Sequence, residues 1–334
     1  MTGDSKNVML QGLFAFMVIS AVVLSLCIGR YRIHVYDVLC LFSGLPVADT
    51  MAANVVFGLR LPRIIMAFTV GAGLSTAGVS LQAMFGNPLV SSHILGVSAS
   101  AGFGAALGIL LLGNFWMIQG IAVLFGFIGM GIAYGMGTHK GRTGILMLVL
   151  SGIIVAAVFE ALTSLVKYLA DPEEKLPAIT YWLMGSLSSV TIKDVFTGAP
   201  AICAGMVILW VLRWHLNVIS LQEDEAISLG LNLKRLRLII IITTTVIAAV
   251  TVSICGIISF VGLAVPHFAR MLVGNDNRQV IPASIFLGGG FVVLMDTAAR
   301  SISSAEIPLS ILTASIGAPF FGMLLRRTGG SWHG

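Results

Sequence analysis

Long apolar blocks alternate with short polar stretches along almost the whole of this 334-residue chain. The hydrocarbon core of a bilayer is about 30 Å thick, so a helix needs about 20 apolar residues to cross it. Backbone N–H and C=O groups inside it must be paired within the segment, which for runs this long means helix. The blocks lie at 8–29, 59–83, 93–112, 116–137, 144–168, 194–212, 236–255, 279–299 and 306–325. A shorter segment, 258–273, is interrupted by Pro266 and carries His267 and Arg270. It is expected as a short tenth helix buried in protein. The first block is 22 residues long, longer than the about 7–15 residues of a signal-peptide core. It reads as an uncleaved first span, with a cleaved signal as the alternative.

Three polar connections remain: Tyr31 to Asn54, Ala170 to Lys193, and Trp214 to Arg235. The stretch Pro177–Gly185 within the second suits a small surface helix. Composition agrees with the pattern, since 57% of residues are hydrophobic and only 10% are charged, against about 25% charged in a soluble domain. The fold class expected is an all-α integral membrane protein forming one domain over residues 1–334.

Charge adds an orientation. With the N-terminus inside, 11 Lys and Arg fall on the cytoplasmic side and 8 on the other, which accounts for all 19. The rule that basic residues prefer the cytoplasm then places both termini inside. The net charge of +5 does not indicate nucleic acid, because the basic residues sit at helix ends and form no single stripe. The four cysteines are widely spaced, show neither metal nor disulfide spacing, and read as small buried hydrophobes.

The glycines and serines of GAGLSTAG (71–78) make a small-residue face that lets helix backbones approach closely in lipid. Asn87-Pro88 is a turn signal. Ser220 and Glu223 have the spacing of a capping box, and Glu223, Asp224 and Glu225 suit the positive end of a short helix that Gly230 would stop. Four ionisable groups, Glu160, His267, Asp296 and Glu306, lie in or beside apolar helices, where such groups have partners or a function. Asp296 and Arg300 are spaced to pair on one helix, and with Glu306 they read as a structural ion network. His267 has no visible partner cluster and reads as a packing or hydrogen-bonding residue. No metal site is expected.

Five motifs occur in order: GLRLPR at 58–63, FGNPL at 85–89 with LGVSASAG at 95–102, EDEAISLG at 223–230, FVGLAVPHFAR at 260–270, and AEIPLSILTASIGAPFF at 305–321. Together they resemble the FecCD-type permeases, the membrane subunits of ABC importers for iron–siderophores, haem and cobalamin. The resemblance covers about residues 10–327. It implies ten transmembrane helices with an inverted repeat, in a dimer around a central path. It also implies a prokaryotic plasma-membrane location, a second permease copy, two ATP-binding cassette subunits and an extracytoplasmic binding protein, with lipid around the whole.

The resemblance also assigns residues. Arg60, Arg63 and Arg300 would dock the acidic binding protein; interfacial snorkelling is the plainer reading. Glu223, Asp224, Glu225, Ala226, Ser228, Leu229 and Gly230 would couple to the ATPase; a simple connector is the plainer reading. Asn87 and Leu89 would form the cytoplasmic gate, with the basic turn 138–144 near it. The path would be lined from 144–168 and 306–325, here by Ser151, Gly152, Thr163, Ser164, Thr313 and Ser315. No G-x-x-x-x-G-K-[ST] motif occurs in this sequence, so ATP and Mg²⁺ are expected on the partner ATPase and no cofactor on this chain. The expected substrate is an iron–siderophore, then haem, cobalamin or molybdate. A secondary transporter is the reading of another class, and Glu160 is its one isolated candidate for a proton relay.

Overall fold

The computed structural model describes residues 3–328 except Ala48, Lys140, Gly141, Gly144, Gln222 and Ser304. The chain begins with α1 (Gly3–Cys27), α2 (Val35–Phe42) and α3 (Thr50–Ala53). A π-helical segment (Asn54–Arg60) then runs into α4 (Leu61–Phe85). Next come α5 (Val97–Leu111), α6 (Phe115–Gly137), a hairpin of β1 (Thr138–His139) and β2 (Arg142–Thr143), and α7 (Ile145–Leu169). They are followed by α8 (Lys175–Leu183), α9 (Ile192–Val211), α10 (Arg213–Val218) and α11 (Glu223–Ser228). The last four are α12 (Leu233–Cys255), α13 (Val261–Val273), α14 (Asn277–Ile302) and α15 (Leu309–Thr328).

Among the described residues, seven helical runs are long and apolar enough to cross a membrane. They are α1 from Met9, Thr50–Phe85, α6, α7 from Leu146, α9, α12 and α14. Three further apolar helices are shorter, namely α5, α13 and the Leu309–Met323 part of α15. The block at 93–112 had been expected to cross in full. It yields only the 15 residues of α5, because the chain turns through 91–96 and the helix starts at Gly96, whose φ is 80°.

The connection from Tyr31 to Asn54 is more structured than its polarity suggested, since α2 and α3 both lie in it. The π-helical turns after α3 have a local cause. Pro62 lacks an N–H and its ring crowds the carbonyl four residues earlier, and a wider turn upstream relieves that conflict. The small helix expected near Pro177–Gly185 is present as α8. The basic turn 138–144 forms the hairpin of β1 and β2, and its Lys140, Gly141 and Gly144 lie outside the described residues.

Helix α4 is the centre of the bundle, packing against α14, α9, α13 and α12. The small-residue face is the reason. A Cβ built on Gly71 would lie 2.2 Å from the carbonyl oxygen of Gly288, and one on Gly78 would lie 2.0 Å from that of Gly262. Ser75, Thr76 and Ser80 donate to the carbonyls of Gly71, Ala72 and Thr76 at 2.7, 2.8 and 3.0 Å, so these buried hydroxyls are satisfied inside the helix. Replacing Gly78 with Val is expected to push α13 away from α4 and cost about 1–3 kcal/mol of overpacking strain. Thermal denaturation of the purified chain would show it as a lowered midpoint, and an unchanged midpoint would refute the packing argument.

Candidate functional site

Two ends of the bundle carry the chemistry. At one end the π-helical segment delivers Arg60, the first turn of α4 delivers Arg63, and the last turns of α14 deliver Asp296 and Arg300. Arg63 Nε donates to both oxygens of Asp296 at 2.8 Å, and its Nη2 lies 2.8 Å from Oδ1. Its Nη1 reaches Glu306 Oε2 at 3.0 Å. Glu306 sits before α15 with φ at +48°, in the left-handed region that a side chain of its size rarely adopts. Arg300 is only loosely paired with Asp296, at 3.8 Å. Instead its Nη2 donates to the carbonyl of Ser25 and to Ser25 Oγ, the latter at 2.7 Å. Arg60 donates to the carbonyls of Leu26 and Tyr31. The Tyr31 hydroxyl donates to Asp49 in the same loop region, and that bond holds the phenol above its ordinary pKa.

This arrangement revises the picture drawn from spacing. The four-residue step made Arg300 the partner of Asp296, but Arg63 takes that place from across the bundle. All three arginines are buried, with exposures of 4% for Arg60, 9% for Arg63 and 7% for Arg300. They therefore lie beneath the rim of this end and do not project from it. Three guanidinium groups meet two carboxylates here, which leaves the cluster one positive charge in excess.

The faces of α7 and α15 that no other helix covers carry some of the residues assigned to the path. Ser164 and Ser315 are exposed and Thr163 is half-buried. Three assignments do not hold as lining from this subunit. Ser151 is 3% exposed and Thr313 is fully buried. Gly152 packs so closely on the chain at Ile94 and Leu95 that an added Cβ would lie 2.5 Å from the Ile94 carbonyl. Each faces a neighbouring helix or turn of its own subunit. Glu160 shares the uncovered face of α7 and is exposed. His267 packs edge-on against Phe321, with ring centres 6.0 Å apart.

At the other end, α4 stops at Gly86, whose φ of +58° reverses the chain. Leu89 N donates to Asn87 Oδ1 at 2.9 Å, forming a tight turn in which Asn87 and Leu89 are exposed. Helix α11 lies nearby. It begins at Glu223, and the capping box expected of Ser220 and Glu223 falls on a side chain outside the described residues. Ser220 Oγ donates to the carbonyls of Leu216 at 2.8 Å and Ala83 at 3.2 Å, tying this loop to the end of α4. Gly230 stops the segment as expected, with φ at +80°. Ala226 is 1% exposed and joins an apolar cluster with Leu216, Ile219 and Leu233. Glu225, Ser228 and Leu229 face outward; the side chains of Glu223 and Asp224 lie outside the described residues. No sequence signal marks Ala226 as the anchor of this helix, because a lone alanine carries no periodicity.

The model of the FecCD transport family matches residues 17–327. The molybdate import system permease protein MolB of Haemophilus influenzae is 41% identical over 331 residues, covering 98% of each chain. A probable iron chelatin transport system permease protein of Helicobacter pylori is 37% identical over 278 residues, covering 83% of each. A solved metal-chelate type ABC transporter, in an inward-facing conformation, superposes with a TM-score of 0.87 at 38% identity, covering 95% of this chain and 99% of that one. With apolar helices that can cross a membrane several times, the chain belongs to the FecCD transport family, whose relatives are permease subunits of ABC transporters.

Proposed function

We propose that this chain is one half of the translocation path of a binding-protein-dependent importer. Two copies pair around a central path with ten membrane helices each. Two ATP-binding cassette subunits, which carry the ATP and Mg²⁺, sit beneath them, and a substrate-loaded binding protein docks on the extracytoplasmic side. The chain is one membrane domain of a prokaryotic plasma membrane with both termini in the cytoplasm, the orientation favoured by its basic residues. The Asn87 end is then the inner end and the arginine end the outer.

The observation that carries this reading is the seat of α11. Its exposed side is available to a partner, while Ser220 ties it to Ala83, a few residues before the turn that holds Asn87 and Leu89. A push on α11 is transmitted to the inner gate through that tie. The packing also supports an inverted repeat of α4–α7 with α12–α15. Helix α4 packs on α13 and α14, as α12 packs on α5 and α6. The short helices α5 and α13 both start from a left-handed residue, Gly96 and Phe260.

The first substrate we propose is a molybdate-type oxyanion, supported by a relative that is 41% identical over 98% of the chain. An iron–siderophore is the second reading, favoured by the iron chelatin relative; haem and cobalamin follow. Ser164 and Ser315 would line a weakly binding path, with Thr163 beside it. Arg60, Arg63 and Arg300 would receive the binding protein's carboxylates, drawn by the excess positive charge of their cluster.

Proteoliposomes holding the permease pair, its ATPase subunits and its binding protein are expected to take up molybdate only with loaded binding protein outside and ATP enclosed inside. Uptake that survives ATP depletion would end the importer reading. Arg60→Gln keeps donors for the Leu26 and Tyr31 carbonyls but removes the charge. It is expected to weaken binding-protein docking about tenfold, as loss of a charge-assisted contact predicts, with assembly on the ATPase intact. Unaltered docking would remove Arg60 from that surface.

A further inference from the structure

An open, basic cleft lies at the end of α9, apart from the sites described above. Helix α9 holds 20 residues, about 30 Å at 1.5 Å rise per residue, which matches the thickness of the hydrocarbon core. It packs chiefly on α4 and α12, and its other face shows Phe196, Val207, Ile208 and Val211 as exposed apolar side chains. That face meets acyl chains. Where it ends, Trp210 and Val211 form a cleft of about 530 Å³ with Arg213 and Trp214 of α10 and Arg278 of α14. The cleft is therefore at the level where hydrocarbon gives way to headgroups, the depth that tryptophans favour. Helix α10 leads on to Ser220, which bonds to the carbonyl of Ala83, so this is the Asn87 end of the bundle.

Its two cations are held ready and left unneutralised. The Arg213 guanidinium stacks over the Trp210 ring, with Cζ 3.9 Å from the ring centre, and its Nη1 donates to the Trp210 carbonyl at 3.0 Å. Its other donors have no partner among the described residues. Arg278 is exposed, and among the described residues its guanidinium makes neither a hydrogen bond nor an ion pair. The two arginines come from different helices, and Asn217 fixes those helices to each other. Asn217 Nδ2 donates to Asp276 Oδ1 at 2.6 Å, and Asn217 Oδ1 accepts from the amide of Asn277 at 2.8 Å. No carboxylate lines the cleft. Asp276 stands beside it as the cap of α14, but its Oδ1 is taken by Asn217 and by the amide of Arg278 at 2.9 Å. Planar guanidinium forks match the oxygens of a phosphate, and the tryptophans flank them with amphipathic rings.

We propose that this cleft binds the headgroup of an anionic phospholipid of the cytoplasmic leaflet. Arg213 and Arg278 take the phosphate oxygens, Trp210 and Trp214 lie at the glycerol level, and the acyl chains run along the exposed face of α9. A soluble anion gains only the first of these contacts. The bound lipid clips α10 to α14 at the root of the segment that carries α11. The inference rests on the importer reading above for the leaflet alone, since the binding itself needs neither the ATPase subunits nor the binding protein.

The test is native mass spectrometry of the full-length permease in detergent, titrated with phosphatidylglycerol or with phosphatidylcholine. Phosphatidylglycerol is expected to bind more tightly. Arg213→Gln with Arg278→Gln should weaken it about thirtyfold, at about fivefold for each arginine near a membrane surface, and leave phosphatidylcholine unaffected. Lys234→Gln with Arg235→Gln removes the same charge from exposed residues outside the cleft and should change neither lipid. An equal loss in that control would mean general attraction of charge and would overturn the site, as would equal affinity of the unaltered protein for the two lipids. Displacement of phosphatidylglycerol by inorganic phosphate would mean a free-anion site and would overturn it too. Should the double variant fail to fold, Arg278→Gln alone is expected to cost about fivefold, and no loss there would refute the proposal. Loss of the ATPase subunits from the double variant with lipid affinity unaltered would make the cleft a motor contact instead. The importer reading fails separately, through uptake that needs no ATP in the three-component proteoliposomes.

Discussion

Asp296→Ala is expected to destabilise the permease by about 3–5 kcal/mol, the range found when one partner of a buried ion pair is removed. Asp296 is 1% exposed and takes both of its oxygens to Arg63 Nε at 2.8 Å. Without it, Arg63 keeps only Glu306, and Arg300 keeps only neutral oxygens of Ser25 among its described bonds. The cluster of Arg60, Arg63, Arg300 and Glu306 would then hold three buried cations against a single carboxylate. Arg63→Glu should be worse still, because it places a third acid against Asp296 and Glu306. Removing both charges tells these effects apart from simple loss of an attraction. Replacing a buried pair by apolar residues of similar volume is often neutral, so Arg63→Met with Asp296→Leu is expected to recover most of the thermal midpoint that Asp296→Ala loses. A double variant as unstable as the single one would mean that the pair itself, and not the stranded charge, holds α4 to α14.

That result bears on docking. A double change of Arg60 and Arg63 to glutamate would abolish uptake whether or not a binding protein touches either residue, because Arg63→Glu alone dismantles the tie between α4, α14 and the start of α15. Arg60 is the cleaner probe, since its described bonds go to two backbone carbonyls and glutamine can still serve them.

What the sequence made legible was the part written in runs and short spacings. Apolar length marked out the blocks that became helices, and the Gly/Ser pattern of 71–78 announced the close packing of α4 on Gly288 and Gly262. Gly230 and Asn87-Pro88 marked turns that the chain makes. The failures share a cause. Arg63 and Asp296 are 233 residues apart, and no local period links them, so the four-residue step from Asp296 to Arg300 was favoured in their place. Ser220 has the right spacing for a cap, but no local spacing indicates that its hydroxyl also donates to the carbonyl of Ala83 on another helix. Ser151, Gly152 and Thr313 are small, and the first and last are polar, which suits a path and suits tight packing equally; only burial separates the two. The shortness of α5 was hidden because Ile94 and Leu95, inside the turn, carry the apolar run back beyond the start of the helix.

Helix α11 offers the sharpest contrast between two neighbouring substitutions. Ala226 is 1% exposed within the cluster of Leu216, Ile219 and Leu233, whereas Leu229, three residues on, is 58% exposed. Ala226→Glu would bury a carboxylate in an apolar seat at a cost of several kcal/mol. The helix escapes that cost only by leaving its seat, and with it the tie through Ser220 to the end of α4. At about 1.4 kcal/mol per factor of ten, the seated state becomes rarer by about a hundredfold or more. Uptake should fall by a similar factor, and loaded binding protein should no longer stimulate hydrolysis by the ATPase subunits, although those subunits still copurify. Leu229→Arg should do the reverse. It leaves the seat of α11 and the thermal midpoint of the permease untouched but puts a charge on the outward side, so the ATPase subunits are expected to be lost on purification. If Ala226→Glu instead transports normally, α11 does not carry the stroke to the gate turn. If Leu229→Arg retains the ATPase with full uptake, the outward side of α11 is not the motor contact.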